Sequence, residues 1–206
     1  MRIQWMHAAF LFIGLSALGC AAAQAQTDVA ASLYGAFSGT TNGNGIMQSP
    51  SNAAGGLFEV RHIVNPIVGY EATYAFNRAN QAYTSSGSVC GLVCEPLAPA
   101  AVSANAHEIS ADWVASLKVA NLRPFALAGV GVLIDVPSSG QANTNTATKP
   151  VFVYGAGLDW GLLPHLGLRL QYRGNLYRAP ALTSVFTSSG AFAQTSEPML
   201  GVFFRL

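Results

Sequence analysis

Ten charged residues carry most of the chemistry open to this sequence: Glu59, Arg61, Glu71, Glu108, Asp112, Lys118, Asp159, Arg169, Arg173 and Arg205. They lie in alternating, largely apolar stretches of a 206-residue chain in which only 9% of residues are charged and 51% are hydrophobic. Successive side chains of a strand point to opposite faces, so residues two apart share a face. By that spacing all ten fall opposite the large apolar side chains, and their acids and bases match in number. Charges kept from water must pair, because an unpaired one costs several kcal/mol. The first role expected of the set is therefore structural, a plug of ion pairs. A gated pathway or a site at the mouth of the fold is the alternative.

Other motifs offer less. Gly155-Ala-Gly157 and Gly129-Val-Gly131 lack the third glycine and the following helix that a pyrophosphate site needs. They are expected to relieve crowding inside a small barrel. His107-Glu108, with loop serines such as Ser103, suggests a hydrolase acting on lipid A, but strand neighbours face opposite ways and cannot readily share one site. No recognisable nucleophile motif supports an enzyme. No cofactor is implied, and a net charge of +1 without basic clusters gives no footprint for nucleic acid.

The elements that would position these residues are strands. Alternation marks eight, near 29–38, 56–64, 67–77, 106–119, 124–134, 150–161, 166–178 and 196–206. In the third, Val68, Tyr70, Ala72, Tyr74 and Phe76 share one face, and in the seventh Leu166, Leu168, Leu170 and Tyr172 oppose Arg169 and Arg173. The first and fifth are rich in Ala and Gly, and their parity stays open. Long polar segments at 39–55, 78–105, 135–149 and 179–195 alternate with short links at Asn65-Pro66, Asn121-Leu122-Arg123 and Leu163-Pro164-His165. Long loops at one end and tight turns at the other are the pattern of an outer-membrane barrel. The fold expected is all-β, an eight-stranded antiparallel up-and-down transmembrane barrel with four extracellular loops and three periplasmic turns. Its outer face should carry no Asp, Glu, Lys or Arg, with His62 near the periplasmic interface. Tyr70, Phe125, Trp160 and Phe204 should form a periplasmic aromatic girdle.

A leader precedes the barrel. Arg2 and His7 open it, Ala8 to Gly19 form its apolar core, and Ala23-Gln24-Ala25 supplies the small-x-small cleavage pattern. Residues 1–25 are expected to be a signal peptide and 26–206 the barrel domain. Cys20 raises a lipoprotein alternative, although the leucine three places before it is missing. Once the leader is removed, Cys90-Gly-Leu-Val-Cys94 is an even pair in an oxidising compartment and is expected to form a disulfide. Further Cys or His ligands for a metal are absent nearby in sequence.

The stretch from Val153 to Arg173, with its Gly-x-Gly-x-Asp strand, Pro-His turn and x-Leu-Arg-x-x-Tyr-Arg strand, resembles the penultimate hairpin of OmpA-like outer-membrane β-barrel proteins. The terminal Pro-x-Leu-Gly-Val-x-x-Arg-x strand is similar to theirs as well. The resemblance implies a non-enzymatic envelope protein embedded in outer-membrane lipid, with its loops offered to an unidentified surface ligand. It also implies that the last strand, with Leu200, Val202, Phe204 and Leu206 on one face, is what the barrel-assembly machinery recognises. Leu206 stands where the family usually ends in Phe, and no peptidoglycan-binding domain is expected after the barrel, which would leave out the family's wall-anchoring role. A small porin-like transporter and a lipid A-modifying enzyme are the other function classes.

Overall fold

The computed structural model describes residues 26–85, 88–90, 94–96 and 98–206, with the backbone alone at 88–90 and 94–96. The expected signal peptide lies outside the described residues. In chain order the strands are β1 (Gln26–Ser38), β2 (Thr41–Gly43), β3 (Ile46–Pro50), β4 (Ala53–Ile63), β5 (Val68–Ser85), β6 (Ser88–Cys90), β7 (Cys94–Pro96), β8 (Ala100–Ser116), β9 (Leu122–Pro137), β10 (Ala147–Gly161), β11 (Leu166–Arg178) and β12 (Phe192–Arg205). Eight of them form the wall in the order β5, β4, β1, β12, β11, β10, β9, β8, and β5 pairs back with β8 to close it. Each wall strand is antiparallel to both neighbours. Closure matters in lipid, where an unpaired backbone group has no water to turn to.

Alternation decides what faces lipid. Leu33, Phe58, Tyr70, Ile109, Trp113, Val130, Phe152, Trp160, Leu170 and Leu200 point out and are exposed, whereas their neighbours in each strand point in. From Leu117 to His107 the outward face of β8 and the link after it runs about 25 Å along the barrel axis, allowing for strand tilt, which matches the apolar band of such barrels. His62 sits low on this face, its Nδ1 2.9 Å from Thr27 Oγ1 and its ring 5.3 Å from that of Tyr70. Tyr70, Trp160 and Phe204 are exposed near the periplasmic end, but Phe125 is buried inside, beneath an arginine. The girdle expected there therefore loses one member. β9 has Phe125, Leu127 and Leu133 on its inner face, which settles the parity left open by its small residues.

Two differences from the expected strands follow from composition. β5 and β8 stay paired as far as Tyr83 and Ala100, well above the apolar band. There the alternation is among Ala, Asn, Gln and Ser, which gives no hydrophobic signal. At the other end β8 stops at Ser116, because Val119 and Leu122 close a tight turn and Ala120 takes a positive φ of 55°. Lys118 thus falls outside the strand and is exposed.

Candidate functional site

The inner face of the wall holds a two-tier network of charge. In the tier nearer the periplasm, antiparallel register sets Arg61 opposite Glu71 and Asp159 opposite Arg169. Arg61 donates from Nε to Glu71 Oε2 at 2.7 Å, and its two terminal nitrogens lie 3.4 Å from Asp159 and 3.6 Å from Glu59. Arg169 grips Asp159 with Nε at 2.6 Å and Nη2 at 2.8 Å, and its Nη1 meets Glu59. Such forked contacts are the strong form of an ion pair. The Arg61 guanidinium also lies 3.9 Å from the centre of the Phe125 ring, an arrangement that cation–π attraction favours. At the floor, Asp28 is shared by Arg123 at 3.6 Å and Arg205 at 3.7 Å. Four carboxylates, Asp28, Glu59, Glu71 and Asp159, thus face four guanidiniums, Arg61, Arg123, Arg169 and Arg205.

The tier nearer the cell exterior is different. Arg173 Nη2 lies 3.2 Å from Glu108, 3.5 Å from Asp112 and 3.0 Å from Ser110 Oγ, and Asn175 donates to Glu108 at 2.7 Å. Glu197 and Asp135 are also buried here, and neither has an ion-pair partner among the described residues. One guanidinium therefore stands among four carboxylates. Above Arg173 these groups border a small cavity of about 40 Å³, lined by Glu108, Asp135, Asn175, Glu197, Tyr34 and Tyr177 among others.

A lid closes the extracellular end. Residues 179–191 fold over the barrel mouth, burying Leu182 and Phe186 against Ile46, Tyr83, Val102, Ala104 and Ala147. Tyr83 Oη donates to Pro180 O and accepts from Leu182 N, both at 3.1 Å, and Gln48 Nε2 donates to Pro180 O at 3.1 Å. Burial pushes the Tyr83 hydroxyl, above the apolar band, up to about 12. The sequence suggested solvated loops on every long connection; Leu182 and Phe186 turn this one inward because they find apolar partners there.

Nine of the ten charges expected inside line the interior, with Arg205 partly open at the floor; Lys118 does not, and instead borders an open cavity of about 350 Å³ at the periplasmic end. Sequence reasoning missed Asp28, Arg123, Asp135 and Glu197. Glu197 shares parity with Met199, Phe203 and Arg205, so alternation alone could have found it. Two glycines are needed where strands crowd: a Cβ on Gly129 would lie 2.1 Å from Asp112 Oδ1, and one on Gly157 would lie 2.4 Å from the Phe125 ring. His107 faces outward, its Nδ1 2.9 Å from Tyr74 Oη, while Glu108 faces inward, so the two do not share a site. Cys90 and Cys94 are opposed in the β6–β7 ladder; the disulfide itself concerns side chains outside the described residues. No cluster of three or more His, Cys, Asp or Glu suited to a metal occurs among the described residues.

A model of the outer membrane protein beta-barrel domain matches residues 8–200. No curated protein matches the sequence. Among solved structures, Neisserial surface protein A superposes with a TM-score of 0.59 at 12% identity, covering 88% of this chain and 98% of the other. OprG from Pseudomonas aeruginosa gives 0.59 at 9%, covering 89% and 97%. Ail of Yersinia pestis, solved in complex with the heparin analogue sucrose octasulfate, gives 0.54 at 15%, covering 89% and 99%. At such identities the likeness speaks for the fold.

Proposed function

The chain belongs to the outer membrane protein beta-barrel family and is an integral outer-membrane protein, and from that premise we propose that it is a non-enzymatic barrel, closed to bulk solute, that works through its extracellular surface. The observation that carries this reading is the double closure of the lumen, by the Arg61–Arg169 network in the wall's lower half and by the Leu182–Phe186 lid above it. An eight-stranded barrel is only wide enough for its own side chains, so charge paired across it acts as a plug. The separation of His107 from Glu108 on opposite faces supports the absence of a hydrolytic site. Outer-membrane lipid is the surrounding partner. The last strand, with Leu200, Val202, Phe204 and Leu206 outward, is proposed as the segment read by the assembly machinery, and the Cys90–Cys94 pair as a disulfide stiffening a loop tip.

Planar-bilayer recording of the purified, refolded protein tests the reading. Conductance near baseline is expected. Steady, large conductance would overturn the plug and promote a porin-like role with the same residues as pore lining. The folded protein should also migrate faster than the boiled one on SDS gels, and Phe204→Asp with Leu206→Asp should abolish that form, because it places charge on the lipid face. A lipid A mass spectrum that changes when the protein is deleted would argue for enzymatic activity. For the surface role, binding of sulfated saccharides, with sucrose octasulfate as probe, can be compared with an uncharged saccharide.

A further inference from the structure

We infer that the cavity beneath the lid is a binding site for a small, partly hydrated monovalent cation. Two independent observations converge on it. The first is charge: Glu108, Asp112, Asp135 and Glu197 share this tier with Arg173 alone, whereas acids and guanidiniums match in number below. The second is that acceptors without partners face the same space. Asp135 Oδ2, Glu197 Oε2 and the amide oxygen Asn175 Oδ1 are buried and have no hydrogen-bond partner, and all three residues line the cavity. Their residues are 6%, 3% and 2% exposed. Asn175 carries no charge, so its stranded oxygen is a separate sign that the space wants a donor or a cation.

Chemistry selects the occupant. Buried acceptors with no donor are costly. Arg173 also keeps Nε and Nη1 unpaired, but it does not line the cavity, so the three acceptors that border that space call for a positive centre within it. A volume of about 40 Å³ corresponds to roughly three water-sized positions, room for one ion that keeps a water or two. Calcium wants six to eight oxygen ligands and magnesium a near-ideal octahedron. No three carboxylates among the described residues stand close enough to chelate, so a sodium- or potassium-sized ion, held by Asp135, Glu197 and Asn175 and by its own water, fits better. Glu108 is engaged by Arg173 and Asn175 and sets the field without supplying a free oxygen.

The test is equilibrium unfolding of the whole barrel in uncharged micelles, in potassium or sodium chloride against choline chloride at equal ionic strength. Choline is too large for the cavity and controls for screening. A site with a dissociation constant of about 10 mM would raise the folding constant about tenfold in 100 mM small-cation salt. Asp135→Asn with Glu197→Gln should erase the difference between salts while leaving the protein folded. Sodium-23 relaxation should be enhanced by the wild type and not by that variant, a readout that does not depend on the variant's stability. Equal unfolding midpoints in the two salts would mean that protonation alone neutralises the acids and would overturn the site. A small-cation advantage that persists in the variant would place the effect on the outer surface and also overturn it.

Discussion

The two halves of the barrel interior are built from the same residue types and obey different rules. Below, each guanidinium has carboxylates within ion-pair distance, and register places most partners directly across a ladder. Above, Arg173 serves Glu108 and Asp112 together, Glu197 sits across the ladder from it without closing an ion pair, and Asp135 has no ion-pair partner among the described residues. The lower half is fixed by its own pairs; the upper half is completed by the lid and by what enters beneath it. A buried charge is thus made tolerable in two ways inside one wall, by a partner supplied from the neighbouring strand or by a space in which neutralisation can come from elsewhere.

Substitutions can break this contrast. Arg169→Ala should have the largest effect, about 3 kcal/mol lost in denaturant unfolding, because Asp159 and Glu59 are left buried together. Exchanging Asp159 and Arg169 for each other should recover part of that loss. Arg173→Ala, which removes bonds to Glu108 and Ser110 and the contact with Asp112, should cost less, about 2 kcal/mol, since the acids it leaves lie beside a cavity where a cation can replace it. Equal losses at the two arginines would erase the distinction between the halves.

Smaller effects sharpen it. Tyr83→Phe removes a hydroxyl that joins two backbone groups of the lid and should cost about 1 kcal/mol, read as faster proteolysis of residues 179–191. The Tyr83 hydroxyl is raised by burial from 10.0 to about 12, so the folded lid holds its proton more tightly than the open one. Its contribution should persist at and below neutral pH and fade as the pH climbs from 10 towards 12, a loss Tyr83→Phe would not show. Asp135→Asn should be close to neutral or slightly stabilising in choline chloride, where Asp159→Asn is clearly destabilising. The smallest effect belongs to the loop tip: Cys90→Ser with Cys94→Ser should leave the unfolding midpoint unchanged, since so short a loop constrains little chain entropy. A large shift would mean that this loop packs on the barrel.

Strands with large aliphatic or aromatic residues on one face, such as those around Tyr70, Trp113 and Leu170, were legible from alternation, and so were the arginines opposite them. Legibility ended where the hydrophobic contrast ended. Ala79 to Tyr83 and Ala100 to Ala104 are paired strand built mostly from small and polar residues, and Asp135 lay in a stretch whose polarity resembled a loop. Asp28 and Arg123 sit at strand ends, where face is set by turn geometry more than by period. Lys118 was misplaced for the same reason, since the turn through Ala120 ends β8 before it. Phe125 was assigned outward by its residue type, although an aromatic inside a small barrel can serve as a platform for arginine.

The seam between β1 and β12 joins Asp28 to Arg205, the two ends of the domain. A contact so distant in sequence is slow to form, because nearly the whole chain must be looped before it is rewarded. Arg61–Glu71 and Asp159–Arg169 form within their own hairpins, but the pairs that span the lumen share the seam's timing: Arg61 on β4 meets Asp159 on β10, and Arg169 on β11 meets Glu59 on β4, only once the cylinder is closed. Until the seam zips, these groups remain in water, where separation costs little. The lumen-spanning part of the network therefore acts as a late checkpoint, indifferent to the open sheet and decisive for the finished cylinder, so that a chain truncated before Arg205 keeps its hairpin pairs and gains none of those that cross the lumen.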